Sequence, residues 1–347
     1  MKKYWILFIF IISAFQPVFS QKKYEIKTIA FYNLENLFDI VDDTLKLDET
    51  SPIMGIKENR AAIYQLKLNN MAKVLSEIGA DEAKNSPVII GVAEIENYSV
   101  LEDLVNTSFL KDKKYSIIHY DSPDIRGIDV GFLYQSSFFK PIYHETFELR
   151  LWGADGYRIF TRDQLLVSGY LGDELIHIIV NHWPSRRGGE SKSRSNREKA
   201  AYLNTQIIAK IKETDPNPKI IIMGDLNDDP INSSLKNILK TKSKKSDVKD
   251  GDIYNPMEEM FRLGQNTLAY RDNINLFDQI MFTSPLLTTT KDYSTYKMYK
   301  AAIFKPQYLT TQTGKYKGYP FRSFGNNGFT GGYSDHYPVY LYLIKEN

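Results

Sequence analysis

The chain has no cysteine in 347 residues, so an oxidising compartment would find no thiol to oxidise or pair, and stability has to come from a packed core. It has no internal repeat and no long Pro/Ser-rich linker, and nothing marks a boundary between domains. It has almost no excess charge either, with 44 Lys and Arg against 42 Asp and Glu. Bulk charge therefore gives no support to nucleic-acid binding, and only a local concentration could. Past the N-terminus no apolar run approaches the roughly 20 residues that a membrane helix needs. Histidine is scarce, with five in the chain, so each one in a polar context is informative.

What is present begins with an export signal. Lys2 and Lys3 precede an apolar run over residues 4–15, and Val18-Phe19-Ser20 then offers small residues three before and one before a cut. Residues 1–20 are expected to be a signal peptide, giving a periplasmic or extracellular protein with no transmembrane anchor. Removing 20 of 347 residues leaves 327, with Lys2 and Lys3 gone and the charges balanced at 42 and 42. That length is ample for a large core.

Three apolar runs, 88–92, 175–180 and 220–223, each end in polar residues: Glu94 and Glu96, Asn181 and His182, Asp225 and Asn227. Continuous apolar strands of this kind are usually covered on both faces, and α/β sheets tend to place chemistry where such strands end. Between them, Ile63, Leu66, Met71, Val74, Leu75 and Ile78 fall at helical spacing before Gly79, and Ala200, Leu203, Ile207, Ile208 and Ile211 do the same. The element order reads as sheets sandwiched by helices. Because polar motifs lie at both ends of the chain, residues 21–347 are expected to form one domain.

The candidate chemistry is that of phosphate-ester hydrolysis, which needs cations for the phosphoryl oxygens, a base for water and support for the leaving oxygen. Asn33 ends the first strand in Phe31-Tyr32-Asn33-Leu34-Glu35-Asn36; the plain alternative is a turn former. Glu94 lies just beyond a strand so apolar that its carboxylate must be paired, hydrogen-bonded or metal-bound. Glu96 shares a face with it if that strand continues. His182 leads into a run over 182–199 holding Arg186, Arg187, Lys192, Arg194, Arg197 and Lys199, either a solvated loop or an electrostatic funnel. In Gly224-Asp225-Leu226-Asn227-Asp228-Asp229-Pro230, Gly allows a tight turn, and Asp225 and Asn227 project to one side of an extended strand; Asp228 to Pro230 also reads as an ordinary turn. Asp278 is an acid inside an apolar strand and requires a partner. Ser334-Asp335-His336 opens the last strand, and Asp278 orienting His336 would make a carboxylate–imidazole base.

Taken in order, Asn33, Glu94, His182, Gly-Asp-Leu-Asn, Asp278 and Ser-Asp-His resemble the endonuclease/exonuclease/phosphatase superfamily over nearly the whole mature chain. The resemblance implies a DNase I-like four-layer α/β sandwich, two mixed sheets face to face with helices outside. It also implies Glu94 as principal metal ligand, with Asn33 beside it on metal or phosphate and Asp335 supporting the metal. Asp225 and Asn227 would orient water and touch the phosphoryl group, Asp278 would orient His336, and His182 would steady the phosphoryl oxygens or leaving group. Arg126, in the loop 124–129, and Arg186 are the expected substrate contacts. Mg²⁺ is the implied cofactor, with Mn²⁺ as a substitute.

The substrate is the least legible part. A monomeric nuclease is the first expectation, resting on the basic run after His182, on Lys240, Lys242, Lys244 and Lys245, and on aromatics able to stack bases. A lipid phosphodiesterase would need an exposed apolar hairpin, which no stretch declares although residues 293–319 could hide one. An inositol-phosphate phosphatase would need a tight basic pocket. A binding protein that has lost activity is the remaining alternative, and none of the key residues is missing.

Overall fold

The computed structural model describes residues 22–288 and 290–347. The expected signal peptide lies outside them. Twelve strands make two sheets: β1 (Tyr24–Leu37), β2 (Ile89–Ile95), β3 (Tyr115–His119), β4 (Asp129–Gln135), β5 (Phe139–Phe147), β6 (Gln164–Leu171), β7 (Glu174–His182), β8 (Ile220–Asp225), β9 (Ile253–Tyr254), β10 (Asp278–Thr283), β11 (Lys297–Ile303) and β12 (Val339–Glu346). The sheet orders are β11-β12-β1-β2-β4-β3 and β9-β10-β8-β7-β6-β5. Each has one parallel pair at its centre, β1 with β2 and β7 with β8, and antiparallel neighbours around it.

A parallel pair needs a long crossover, and a helix supplies it in each case. Helix α1 (Arg60–Glu77) links β1 to β2; α2 (Tyr98–Val105) follows β2; α3 (Glu190–Lys212) links β7 to β8. The apolar strands are continuous because both of their faces are covered. In β8, Ile221 and Met223 enter the core between the sheets with Ile29, Phe31 and Val180. Ile220 and Ile222 face the other way, onto Ala200 and Ile207 of α3. On the outer face of the first sheet, Ile90 and Val92 meet Met71 and Leu75 of α1 and Leu101 of α2. Three apolar layers therefore separate four layers of secondary structure, as the sequence implied.

Two details differ from the sequence reading. The buried face of α1 runs through Tyr64, Lys67, Leu68, Met71, Val74 and Leu75, whereas Leu66 points to solvent at 53 % exposure. The helical spacing holds, but a lysine occupies the place expected of Leu66. Gly224 does not turn the chain; it is inside β8, and a Cβ there would lie 2.3 Å from the Asn181 carbonyl oxygen. The glycine is needed for the close approach of β7.

Candidate active site

The carboxyl ends of the two parallel pairs converge, the position where open α/β sheets present ligand sites. In register, Asn33 of β1 lies beside Ala93, the residue before Glu94. In the other sheet Asp225 pairs with His182 on one side and with Asp278, the first residue of β10, on the other.

The side chains then meet across the gap between the sheets. The Asn33 amide nitrogen donates to Glu94 Oε1 and to Asp225 Oδ2, both at 3.1 Å. His182 Nε2 lies 3.7 Å from Asp225 Oδ2 and 3.9 Å from Glu94 Oε1. Asp278 Oδ2 is 2.6 Å from His336 Nδ1, and His336 Nε2 is 3.9 Å from both Asp225 Oδ2 and Asp335 Oδ1. Seven of the ten residues singled out in the sequence thus form one connected group. An eighth, Asn227, borders it, donating its amide N–H to Asp225 Oδ1 at 3.0 Å and its side-chain nitrogen to the Trp183 carbonyl.

The two histidines are held in opposite charge states. Burial alone would push His336 down, but the Asp278 carboxylate, by charge and hydrogen bond, with Asp225 and Asp335 behind it, lifts it well above the usual imidazole range. Burial pushes His182 well below that range, and the Arg162, Arg126 and His336 charges act in the same direction. His182 is neutral, with Nδ1 buried and unpartnered among the described residues. Asp225 is raised by burial and by Asp278 and Glu94, with the His336 charge opposing. Carboxylates in excess around Asp225 fit a divalent cation. Glu94, His182 and Asp225 offer ligand atoms within 4.8 Å of one another, as do Asp225, Asp278 and His336.

The model of the Endonuclease/Exonuclease/phosphatase family matches residues 28–345. The chain belongs to that family. Family members hydrolyse phosphate esters, and they typically use divalent metals. Similar solved structures include an endonuclease/exonuclease/phosphatase family protein from Bacteroides thetaiotaomicron (14% identity, 93% of this chain and 98% of that one, TM-score 0.53). D. rerio TDP2 complexed with single strand DNA product is similar at 14% identity, 92% and 98% coverage and TM-score 0.52. A Bacteroides thetaiotaomicron mannosyl-6-phosphatase is similar at 14% identity, 91% and 99% coverage and TM-score 0.51. At these identities the likeness is one of fold. No curated protein matches the chain.

Several residues at the site take up unusual backbone. Glu35, Asn36, Glu94 and Asn227 have φ of 48°, 51°, 57° and 50°, a region that non-glycine residues rarely enter and that clusters at functional sites. Glu94 is the extra residue of a bulge in β2, which puts Ile95 on the face that alternation would have given to it. The strand then ends, so Glu96 does not share a face with Glu94. It is buried instead under the Asp39 amide, which donates to it at 2.7 Å. Asn227 likewise is not on an extended strand: β8 stops at Asp225 and the chain turns.

Glu96 gives a pH-dependent stability. Burial, with Asp39, Asp48 and Asp43 nearby, raises its carboxyl to about 7. The folded protein therefore holds this proton more tightly than the unfolded chain, whose Glu titrates near 4.3. The neutral group's contribution is present below that value and lost as pH rises through about 7. In EDTA, Glu96→Gln is expected to unfold at higher urea than wild type at pH 8, the gap closing towards pH 5; equal gaps at both pH values would contradict this.

The residues expected to contact substrate and metal have the following surroundings. Asn33 Oδ1 accepts the Glu35 amide at 2.9 Å, and its amide nitrogen is the group that meets the two carboxylates. Asp335 is in neither close ligand group; Arg322 lies 3.3 Å from one of its oxygens. Arg126 pairs with Asp124 through two nitrogens, and Arg186 is tied to Asp228, Asp229 and the Asn227 carbonyl. The basic run after His182 is only partly open: from Glu190 it is α3, Arg194 pairs with Glu190 and Arg197 is fully buried on Asp228, whereas Arg187, Lys192 and Lys199 are exposed. The lysines at 240–245 lie elsewhere. Lys242 bridges to Tyr254, which pairs with Phe282, four residues or about 13 Å along β10 from Asp278.

Other residues were missed. Lys67 donates to the carbonyls of Glu35 and Asn36 and to Ser323 Oγ, clamping the two left-handed residues, while the Asn36 amide donates to Glu94 Oε2. The Glu35 carboxylate accepts from Ser323 and from Arg322, which also reaches Asp335. Ser334 Oγ donates to the Asn33 carbonyl and accepts the His336 amide, joining the last strand to the first. Arg162 links Asp124 to the Trp183 carbonyl beside His182. Glu35 could have been suspected from its place two residues after Asn33, and Lys67 from its helical spacing to Tyr64 and Met71.

Proposed function

We propose that the chain is an exported phosphodiesterase that works with a divalent cation, Mg²⁺ first and Mn²⁺ as a substitute, on nucleic acid. The observation that carries it is the Asp278–His336 pair at 2.6 Å, whose free ring nitrogen faces the Asp225 carboxylate at 3.9 Å. Glu94 and Asp225 would hold the cation, which when bound neutralises phosphoryl oxygens and makes water more acidic.

The chain's own groups divide the remaining work. Asp278 holds the Nδ1 proton of His336, so that the charged ring presents Nε2–H to a phosphoryl oxygen. Asp225, held by the Asn33 and Asn227 donors, orients the attacking water. Neutral His182 stands by the leaving oxygen. Arg126, Arg162 and Arg322 each already lie against a carboxylate. Arg126 and Arg162 share the one Asp124 carboxylate, so a single uncompensated positive charge remains on that side, which matches a monoanionic diester better than a dianionic monoester.

For the diester's flanks, one element stands out. The hairpin Leu151–Trp152 with Arg158–Ile159 leads through Phe160 and Thr161 to Arg162, and so is rooted beside His182. It presents Trp152, Tyr157, Ile159 and Phe160 to solvent, with Tyr157 76 % exposed. Such aromatics can stack bases. They also favour a second reading, a lipid phosphodiester, since the apolar hairpin that the sequence did not declare is present.

The test is hydrolysis of bis-p-nitrophenyl phosphate, p-nitrophenyl phosphate, a single-stranded oligonucleotide and phospholipid vesicles, with Mg²⁺ and with EDTA. The expected result is cleavage of the small diester and the oligonucleotide, abolished by EDTA and restored by Mg²⁺. Vesicle lipid cleaved with the oligonucleotide untouched would transfer the assignment to the lipid reading. Hydrolysis confined to p-nitrophenyl phosphate would overturn the diester assignment. The N-terminal mass of the exported protein checks cleavage after Ser20.

A further inference from the structure

Beyond the active site, a second group of carboxylates converges without a cation to face. The loop 39–51 leaves the end of β1 and carries Asp39, Asp42, Asp43, Asp48 and Glu49 with a single basic residue, Lys46. Lys46 turns away, its Nζ donating to the carbonyls of Ser122 and Asp124. Asp42, Asp48 and Glu49 each place a carboxylate oxygen within 4.8 Å of the others.

Asp48 distinguishes this group from an ordinary acidic surface. It is 1 % exposed, its Oδ2 accepts the Asp43 amide at 2.9 Å, and its Oδ1 is buried with no hydrogen-bond partner among the described residues. A buried carboxylate oxygen left unpaired is strongly unfavourable unless a cation compensates it.

We propose that Asp42, Asp48 and Glu49 form a second divalent-cation site, separate from the Glu94–Asp225 group, and that its ion is Ca²⁺. The donors are carboxylates from one irregular loop within eight residues. Ca²⁺ accepts six to eight oxygens in adaptable geometry, whereas Mg²⁺ demands a near-ideal octahedron and keeps much of its water. The ion would brace the loop, and hydrogen bonds join the loop to the strands that carry the chemistry. The Leu47 amide donates to the Ile125 carbonyl, the Asp39 amide to Glu96, and the Glu96 amide to the Leu37 carbonyl. Fixing the loop therefore steadies the ends of β1 and β2, where Asn33 and Glu94 sit. The site is independent of which phosphate ester is cleaved.

The test is calorimetric titration of the whole protein with Ca²⁺ in a background of Mg²⁺, together with the Tm shift that Ca²⁺ produces. Asp42 and Glu49 are both exposed, so Asp42→Asn/Glu49→Gln removes two ligands without disturbing the core; Asp48→Asn is the buried counterpart. Wild type and Glu94→Gln are expected to bind one Ca²⁺ per chain and to gain Tm. The surface double variant should bind at least about tenfold more weakly and lose the gain, since affinity follows ligand charge. Unchanged binding in the double variant would overturn the proposal. So would no binding to wild type, loss of the ion in Glu94→Gln, or occupation by Mg²⁺ to the exclusion of Ca²⁺.

Discussion

His336→Ala is expected to lower kcat on a phosphodiester by about 10²–10⁴-fold, the range of a positioned proton donor or acceptor, with KM much less affected. The expectation follows from the chain of contacts, in which Asp278 fixes one ring nitrogen at 2.6 Å and leaves the other 3.9 Å from Asp225. Asp278→Asn is the sharper test. Burial lowers the His336 pKa, and the Asp278 charge is the first of the influences that raise it. Without that charge the ring loses its proton at lower pH. If His336 acts in its charged form, activity disappears as pH rises through its pKa, and in Asp278→Asn that alkaline limb moves to lower pH. The measurement is kcat against pH for wild type and both variants on bis-p-nitrophenyl phosphate. A full-rate Asp278→Asn enzyme with an unmoved alkaline limb would remove the dyad from the mechanism.

That dyad was legible in the sequence because each half had a local oddity: an acid in an apolar strand, and an imidazole beside a carboxylate after two glycines. The layered fold was legible for a related reason, since β2, β7 and β8 are apolar on both faces only because helices and a second sheet cover them. Backbone departures were not legible. Glu94 at φ 57° and Asn227 at φ 50° break the two-residue alternation on which the sequence reading of Glu96 and Asn227 rested. Nor could spacing reveal ion-pair partners. Arg186 and Arg197 read as a funnel because they are close together in sequence with many basic neighbours, yet their partners, Asp228 and Asp229, lie 31 to 43 residues away. Lys67 hid for a similar reason, since its oxygens come from β1 and from the segment before β12.

Arg197→Met is expected to destabilise the fold by about 3–5 kcal/mol, the usual consequence of removing one partner of a buried ion pair. Arg197 Nε lies 2.6 Å from Asp228 Oδ1, neither side chain has measurable exposure, and Ser234 Oγ donates to the other oxygen at 2.7 Å. With methionine in place the Asp228 carboxylate keeps Ser234 and the more distant Arg186, at 3.3 Å, but loses its close countercharge. Adding Asp228→Asn to Arg197→Met should recover a large part of the loss, because the orphaned charge disappears with it. Asp225→Asn, three residues earlier in the same motif, should do the opposite: activity collapses while stability holds or rises, since burial already disfavours the ionised form of Asp225. Urea midpoints for the three variants and wild type decide the matter. Arg197→Met within about 1 kcal/mol of wild type would mean that the pair is not a structural lock. The expected split would mean that one short motif serves two purposes, Asp225 facing the chemistry across the sheets and Asp228 fastening the turn to α3.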